Sequence, residues 1–270
     1  MLIPSSALPA VTPIAQATAL LLRVRDGFRQ PQIICGVSGK DSLTVLSLCC
    51  QIFGAENVHG FFLFHVPDLE CEQKTIRMAE SRFGIEITQL RHPEASFYLQ
   101  TSTLCKLSIE TENQIRRKLR WGDIEAIMRK RTGAGWFAYG HRMTDSPQRR
   151  AMIKSHAGII ENRRTCFPIY DWKPRDVIAF LRARRISIPA MFGSTINNTS
   201  GVSPNDPKCL RFLRDNHPQD YAKLLAIYPG AANLLLRDEL REKYGVKFQA
   251  EEPTQGSSDH GEGEIGEGGE

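Results

Sequence analysis

Six consecutive residues, Val37-Ser38-Gly39-Lys40-Asp41-Ser42, combine the chemistry that holds a phosphate. Gly39 has no Cβ, so the backbone can approach a ligand closely. The amides after it point outward, and a helix starting near Ser42 adds the positive end of its dipole. Lys40 supplies a point charge, and Ser38 and Ser42 supply hydroxyls. Asp41 is unusual beside an anion; an acid there holds a metal, caps the helix or positions the loop. The Walker spacing G-x-x-x-x-G-K-[ST] is absent. The same residue types also fit a plain strand–helix turn with Ser or Asp at the N-cap.

A second basic loop runs Gly140-His141-Arg142-Met143-Thr144-Asp145-Ser146-Pro147-Gln148-Arg149-Arg150. Arginine presents a planar fork of donors that suits di-anions. At the C-terminal end of a parallel strand, Arg142, Arg149 and Arg150 would face the same crevice as the first loop; a solvated basic turn is the alternative. A third segment, Phe167-Pro168-Ile169-Tyr170-Asp171-Trp172, precedes a helix containing Asp176-Val177. The seven cysteines are Cys35, Cys49, Cys50, Cys71, Cys105, Cys166 and Cys209. An odd count with no C-x-x-C argues against a disulfide framework or a zinc ribbon. Cys209 follows a Ser/Gly loop that could bring a thiol to a site; a buried cysteine at a helix start is the other reading.

The elements that must position these loops are legible as periodicity. Apolar residues at Ile14, Ala17, Leu21, Val24 and Phe28 have helical spacing. Strand-sized runs occur at 32–37, 58–66, 85–90, 135–139 and 159–169. Helices are expected at 42–53, 69–83 and 174–185, with shorter ones at 208–213, 219–227 and 234–244. Strands alternating with helices imply right-handed crossovers and a parallel sheet. The expected organisation is an N-terminal helical lead-in over 1–31 and a nucleotide-binding α/β domain over 32–189, with a helical insertion at about 92–132. A C-terminal loop and helical extension follow over 190–250, then a disordered acidic tail over 251–270. The tail holds seven acids and no Lys or Arg; the rest carries 35 basic against 23 acidic residues, a net +12. Such a body attracts polyanions, nucleotide or nucleic acid. The runs Arg116-Arg117-Lys118, Arg129-Lys130-Arg131 and Arg182 to Arg185 would give a nucleic acid or protein partner a basic surface, and they equally fit solvated helix faces. No apolar run reaches the roughly 20 residues of a membrane span, and no secretory signal is read, so no membrane role and a cytoplasmic location are expected.

The first loop resembles the pyrophosphate loop S-G-G-x-D-S of the adenine nucleotide alpha hydrolase superfamily, with Val37 and Ser38 departing at its first two positions. The three motifs in this order resemble the phosphoadenosine phosphosulfate reductase family, over roughly Gln32 to Arg185. The resemblance implies a Rossmann-like five-stranded sheet flanked by helices, with adenine nucleotide at its C-terminal edge. It places Gly39, Lys40, Asp41 and Ser42 on phosphates, and Arg142, Arg149 and Arg150 on a sulfate or outer phosphate; Val37, Ser38, Gly140 and Ser146 are expected at the same nucleotide site. His65, at the end of the second strand, would line the adenosine side or be a partly buried strand-end histidine. Family reductases carry a C-terminal nucleophilic cysteine in an E-C-G-L-H-like segment, which is absent here, leaving Cys209 as the late candidate. An iron–sulfur cluster is not expected without C-x-x-C. Members keeping G-x-D-S resemble those that split ATP between the α and β phosphates, with Asp41 helping to hold Mg2+ and Lys40 and Arg142 stabilising charge. Three functions follow: an ATP-cleaving or nucleotidyl-transferring enzyme in sulfur-related or nucleic-acid modification, a thiol-dependent reductase of adenylyl sulfate or its 3′-phosphorylated form, or a non-catalytic binding subunit.

Overall fold

A computed structural model describes residues 12–95, 98, 104, 119–189 and 201–245. The acidic tail, the basic run at 116–118, most of the expected insertion and the 190–200 part of the loop lie outside the described residues. The lead-in forms α1 (Pro13–Leu22), begun by Thr12, whose hydroxyl accepts from the Ala15 amide. A single π turn, Arg23–Gly27, continues it. Then come β1 (Ile33–Gly36), α2 (Lys40–Phe53), β2 (Val58–Phe64), α3 (Glu70–Phe83) and β3 (Ile87–Arg91). The described part of the insertion contains α4 (Trp121–Thr132), which leads to β4 (Trp136–Ala138) and α5 (Pro147–Ser155). Two short strands, β5 (Ile159–Ile160) and β6 (Thr165–Cys166), precede α6 (Pro174–Ala183). The C-terminal extension is α7 (Pro207–Asn216), α8 (Pro218–Ile227) and α9 (Gly230–Tyr244).

The sheet has six strands rather than five, in the order β3-β2-β1-β4-β6-β5. Five are parallel; β5 pairs antiparallel with β6 at the edge. The extra strand comes from the run 159–169. Its polar centre, Glu161-Asn162-Arg163-Arg164, turns the chain back on itself, with Arg164 in the left-handed region at φ 52°. A single strand there would bury those four side chains in the sheet.

The order of strands fixes the site. From β1 the chain crosses through α2 to β2 on one side, whereas β4 adds on the other side of β1. The loops after β1 and β4 therefore diverge, and a crevice opens at the C-terminal ends of these two strands. Both central strands are buried: Ile33, Ile34 and Cys35 in β1, and Trp136, Phe137 and Ala138 in β4. On one face, α1, α2 and α6 contribute Leu21, Leu43, Leu46, Val177 and Phe180 to the main core. On the other, Ile124 and Met128 of α4 cover Ile34, Phe61 and Phe137. A second core joins Val66 and Leu69 to Leu210, Leu213, Leu224 and Tyr228 of the extension. Asp220 ties the extension down: its carboxylate accepts from the Glu70 and Cys71 amides, both at 2.9 Å, at the start of α3.

Candidate nucleotide-binding site

The first loop leaves β1 and enters α2 through Gly39, the extended N-cap residue. Ser42, three residues into the helix, braces it. Its hydroxyl oxygen accepts from the Ser38 and Gly39 amides and donates to the Gly39 carbonyl, each at 2.8 Å. Ser42 therefore shapes the loop from within rather than offering a free hydroxyl donor. The amides of the first turn of α2 have no intrahelical partner, and they end at a cavity lined by Val37, Ser38, Gly39, Lys40, Asp41 and Ser42.

The second loop closes against the first at Gly140. A Cβ there would stand 2.8 Å from the Asp41 carbonyl carbon and 3.0 Å from the Ser42 nitrogen. Only glycine lets the two backbones approach this closely. An alternating chain of charge then links the loops. Lys40 Nζ lies 2.8 Å from Asp41 Oδ2, and Asp41 Oδ1 lies 3.4 Å from Arg142 Nε. Arg142 Nη2 lies 3.0 Å from Asp145 Oδ1, and Asp145 Oδ2 lies 3.3 Å from Arg149 Nη1. Three cations and two carboxylates leave one net positive charge facing the space an anion would fill.

The geometry gives each candidate site residue singled out in the sequence a definite place. Asp41 is buried between Lys40 and Arg142 and also borders the cavity; its Oδ2 meets Lys40 Nζ, while its Oδ1 makes no hydrogen bond. Arg142 sits behind Asp41 rather than in the cavity wall; its Nε and Nη1 are buried without a hydrogen-bond partner, and it forms ion pairs with Asp41 and Asp145. Arg150 turns back to the Met143 carbonyl through Nε at 3.2 Å. Ser146 caps α5, its Oγ accepting from the Arg149 amide at 3.1 Å. Of the three arginines, Arg149 alone lines the cavity, beside Gly140. Cys209 is fully buried in the second core, and burial pushes its thiol up to about 12, so it is a protonated packing residue. His65 is also buried and lies behind His92, with the two rings stacked at 4.3 Å.

His141 and Asp145 belong to the second motif but carry no assigned role there, and the rest of the lining, Gly36, Phe61, Leu63, His92, Trp121 and Tyr139, escapes sequence reasoning. Leu63, His92 and Tyr139 sit at or just beyond the C-terminal ends of β2, β3 and β4, so applying the strand-end rule to every strand would have found them. Trp121 is 51% exposed, a large aromatic surface at the cavity rim. His141 stacks on Tyr139 at 5.5 Å and 11°. Burial, followed by the Arg149 charge, pushes His141 down to about 4. Burial and then His65 push His92 down to about 4 as well. Both rings are neutral near pH 7, which leaves Lys40 and Arg149 as the lining's cationic side chains.

Residues 32–198 match the phosphoadenosine phosphosulfate reductase domain. The chain belongs to that family. No curated protein matches it. Among solved structures it is similar to the U34-tRNA thiolase NcsA from Methanococcus maripaludis with its [4Fe-4S] cluster, at 14% identity and a TM-score of 0.44, covering 83% of this chain and 79% of that one. It is also similar to the NH3-dependent NAD synthetase from Campylobacter jejuni subsp. jejuni in complex with the nitrate ion, at 12% identity and a TM-score of 0.46, covering 90% of this chain and 100% of that one. An iron–sulfur cluster is set aside in the sequence for want of a C-x-x-C; that thiolase is described with one. In this family member, Cys35, Cys49 and Cys166 are buried in the main core, and Cys105 lies outside the described residues. Among the described residues no cysteine lines the cavity, and no helix is long and apolar enough to cross a membrane.

Proposed function

We propose that this family member binds an adenine nucleotide in the switch-point cavity and cleaves ATP between its α and β phosphates, in sulfur-related or nucleic-acid modification chemistry. One observation carries the reading: the cavity lining combines anion-binding groups with aromatic and apolar side chains. Lys40, Arg149 and the first-turn amides of α2 are the anion-binding groups. Phe61, Leu63, Trp121 and Tyr139 offer the flat apolar surface that takes a purine.

In the proposed reaction an acceptor oxygen, that of water when no other acceptor is supplied, attacks the α-phosphorus and releases any proton it carries to solvent. The bond from that phosphorus to the α–β bridging oxygen breaks, and its electron pair leaves with pyrophosphate. Lys40 and Arg149 meet the charge that develops on the leaving group, and fixed cations are most effective where water is excluded. Asp41, Arg142 and Asp145 are positioning residues that hold those two cations apart at a set distance. Sulfonucleotide reduction would need a thiolate at the cavity.

The test supplies ATP, ADP, adenylyl sulfate and its 3′-phosphorylated form separately, with a divalent cation in the buffer, and resolves the products. The proposal expects AMP and pyrophosphate from ATP. Release of sulfite that depends on an added thiol would replace it with reduction; binding without turnover of any of the four would favour a binding subunit.

A further inference from the structure

β2 and β3 run parallel with Phe64 opposite Arg91, and the His92 amide donates to the Phe64 carbonyl at 2.8 Å. The next residue of each strand is a histidine. His65 and His92, 27 positions apart in sequence, thus arrive side by side with their rings stacked at 4.3 Å and 23°. Glu94 follows on the same turn. Its Oε2 lies 3.5 Å from His65 Nε2 and 4.0 Å from His92 Nδ1, and one ligand atom from each of the three residues falls within 4.8 Å of the others.

A second observation concerns the buried ring. His65 is 3% exposed; its Nδ1 has no hydrogen-bond partner, and its Nε2 meets only the Glu94 carboxylate, 3.5 Å away. A buried polar group left unpaired costs free energy and calls for a partner. The Tyr228 hydroxyl donates to the His65 carbonyl at 3.2 Å, which fixes the backbone but leaves the ring unsatisfied. Trp121 meets His92 edge-on at 5.6 Å and shields it from water.

We propose that His65, His92 and Glu94 form a site for a divalent transition-metal ion of the Zn2+ type, beside the nucleotide cavity. Two imidazoles and one carboxylate suit Zn2+, whereas Mg2+ and Ca2+ prefer all-oxygen sets. Zn2+ binds nitrogen and oxygen at about 2.0–2.2 Å, which places tetrahedral ligand atoms roughly 3.3–3.5 Å apart. The His65–Glu94 pair already has that separation. Glu94, which is exposed, swings inward, and the two rings turn out of their stack so that one nitrogen of each points at the ion. The ion displaces the Glu94 amide that now donates to His92 Nδ1 at 3.1 Å. Three protein ligands leave a fourth position open, the arrangement of zinc sites that bind water or substrate. His92 lines the cavity, so the ion borders the space assigned to the nucleotide. The site stands on its own geometry and does not depend on ATP cleavage.

The full-length protein, stripped with a chelator, is titrated with Co2+ and then Zn2+ by calorimetry and visible absorption. The expected result is one saturable equivalent with the d–d absorption of tetrahedral Co2+, no thiolate-to-metal charge-transfer band, and displacement by Zn2+. Glu94→Gln changes an exposed residue and keeps the fold, so its metal-free melting curve should match wild type while its Co2+ affinity falls at least tenfold. His92→Gln should abolish binding. Absence of saturable binding, a thiolate charge-transfer band, or unchanged affinity in Glu94→Gln would each overturn the site.

Discussion

The contact between the two loops gives the sharpest mutational test. In Gly140→Ala the new methyl carbon would meet the Asp41 carbonyl carbon at 2.8 Å, the Ser42 nitrogen at 3.0 Å and Asp41 Cβ at 3.1 Å. Carbon atoms in comfortable contact stand about 3.5–4.0 Å apart. The loops must therefore separate by roughly 0.5–1 Å. Two of the three obstructing atoms are backbone in the first turn of α2, so no side chain can swing aside. Overpacking of this kind costs about 1–3 kcal/mol. The same movement draws Asp41 away from Arg142 and moves Lys40 relative to Arg149. We expect Gly140→Ala to lower stability in urea by about 1–3 kcal/mol and to weaken ATP binding about tenfold, equivalent to ~1.4 kcal/mol. Gly122→Ala is the control: nothing lies within 4 Å of the added Cβ, so it should leave ATP affinity unchanged and be neutral or stabilising. If Gly140→Ala binds ATP and resists urea like wild type, the close approach of the loops is not what builds the site.

Trp121→Ala should weaken binding of every adenine nucleotide by about 1–3 kcal/mol in calorimetric titration, the usual worth of a base stacked on an aromatic ring; equal affinity would move the base elsewhere. Cys209→Ser should leave nucleotide turnover within a few-fold of wild type, because that thiol is buried in the second core; loss of turnover with an intact fold would return a thiol to the mechanism. Burial pushes Glu72 up to about 8, against a Val202 amide bond that pulls it down, with Asp220 adding to the rise. Its folded value lies above the unfolded one, so the stabilisation is full below pH about 4.5 and is lost as pH rises through about 8. Glu72→Gln keeps an oxygen for the Val202 amide, now 2.7 Å from Oε1, and carries no charge. Urea denaturation from pH 5 to 9 should show the wild type losing at least ~1 kcal/mol relative to Glu72→Gln, since a tenfold difference in proton affinity between the folded and unfolded chains is worth ~1.4 kcal/mol; parallel profiles would contradict this.

The sequence exposes the fold wherever an apolar run meets a sharp breaker. β1 ends at a Gly-containing loop, α3 at Gly84 and α4 at Gly133, and these boundaries are visible without coordinates. The β5–β6 hairpin is hidden because four polar residues inside an eleven-residue run read as an interruption, not as a reversal. At the site, the loop 37–42 and Gly140 are legible from residue type. Which arginine faces the crevice is not: Arg142, Arg149 and Arg150 share a chemistry, and the side-chain direction after a turn and a capped helix separates them. Cys209 misleads for a similar reason. The loop before it suggests mobility, whereas Cys209, Leu210 and Leu213 share the buried face of α7. His65 and His92 become neighbours only through the register of β2 on β3, a long-range pairing that local pattern does not encode.

Nucleotide binding by its phosphates, in the cavity between the β1 and β4 loops, underlies the reaction proposed for this chain. A calorimetric titration of the full-length protein with ATP, set beside Lys40→Ala, tests it without reference to turnover. One saturable site is expected in the wild type and at least a tenfold weaker one in the variant, since a charge-assisted phosphate contact contributes roughly 1.5–3 kcal/mol. Equal affinity in the two proteins, or no ATP binding by the wild type, would contradict phosphate binding at this loop.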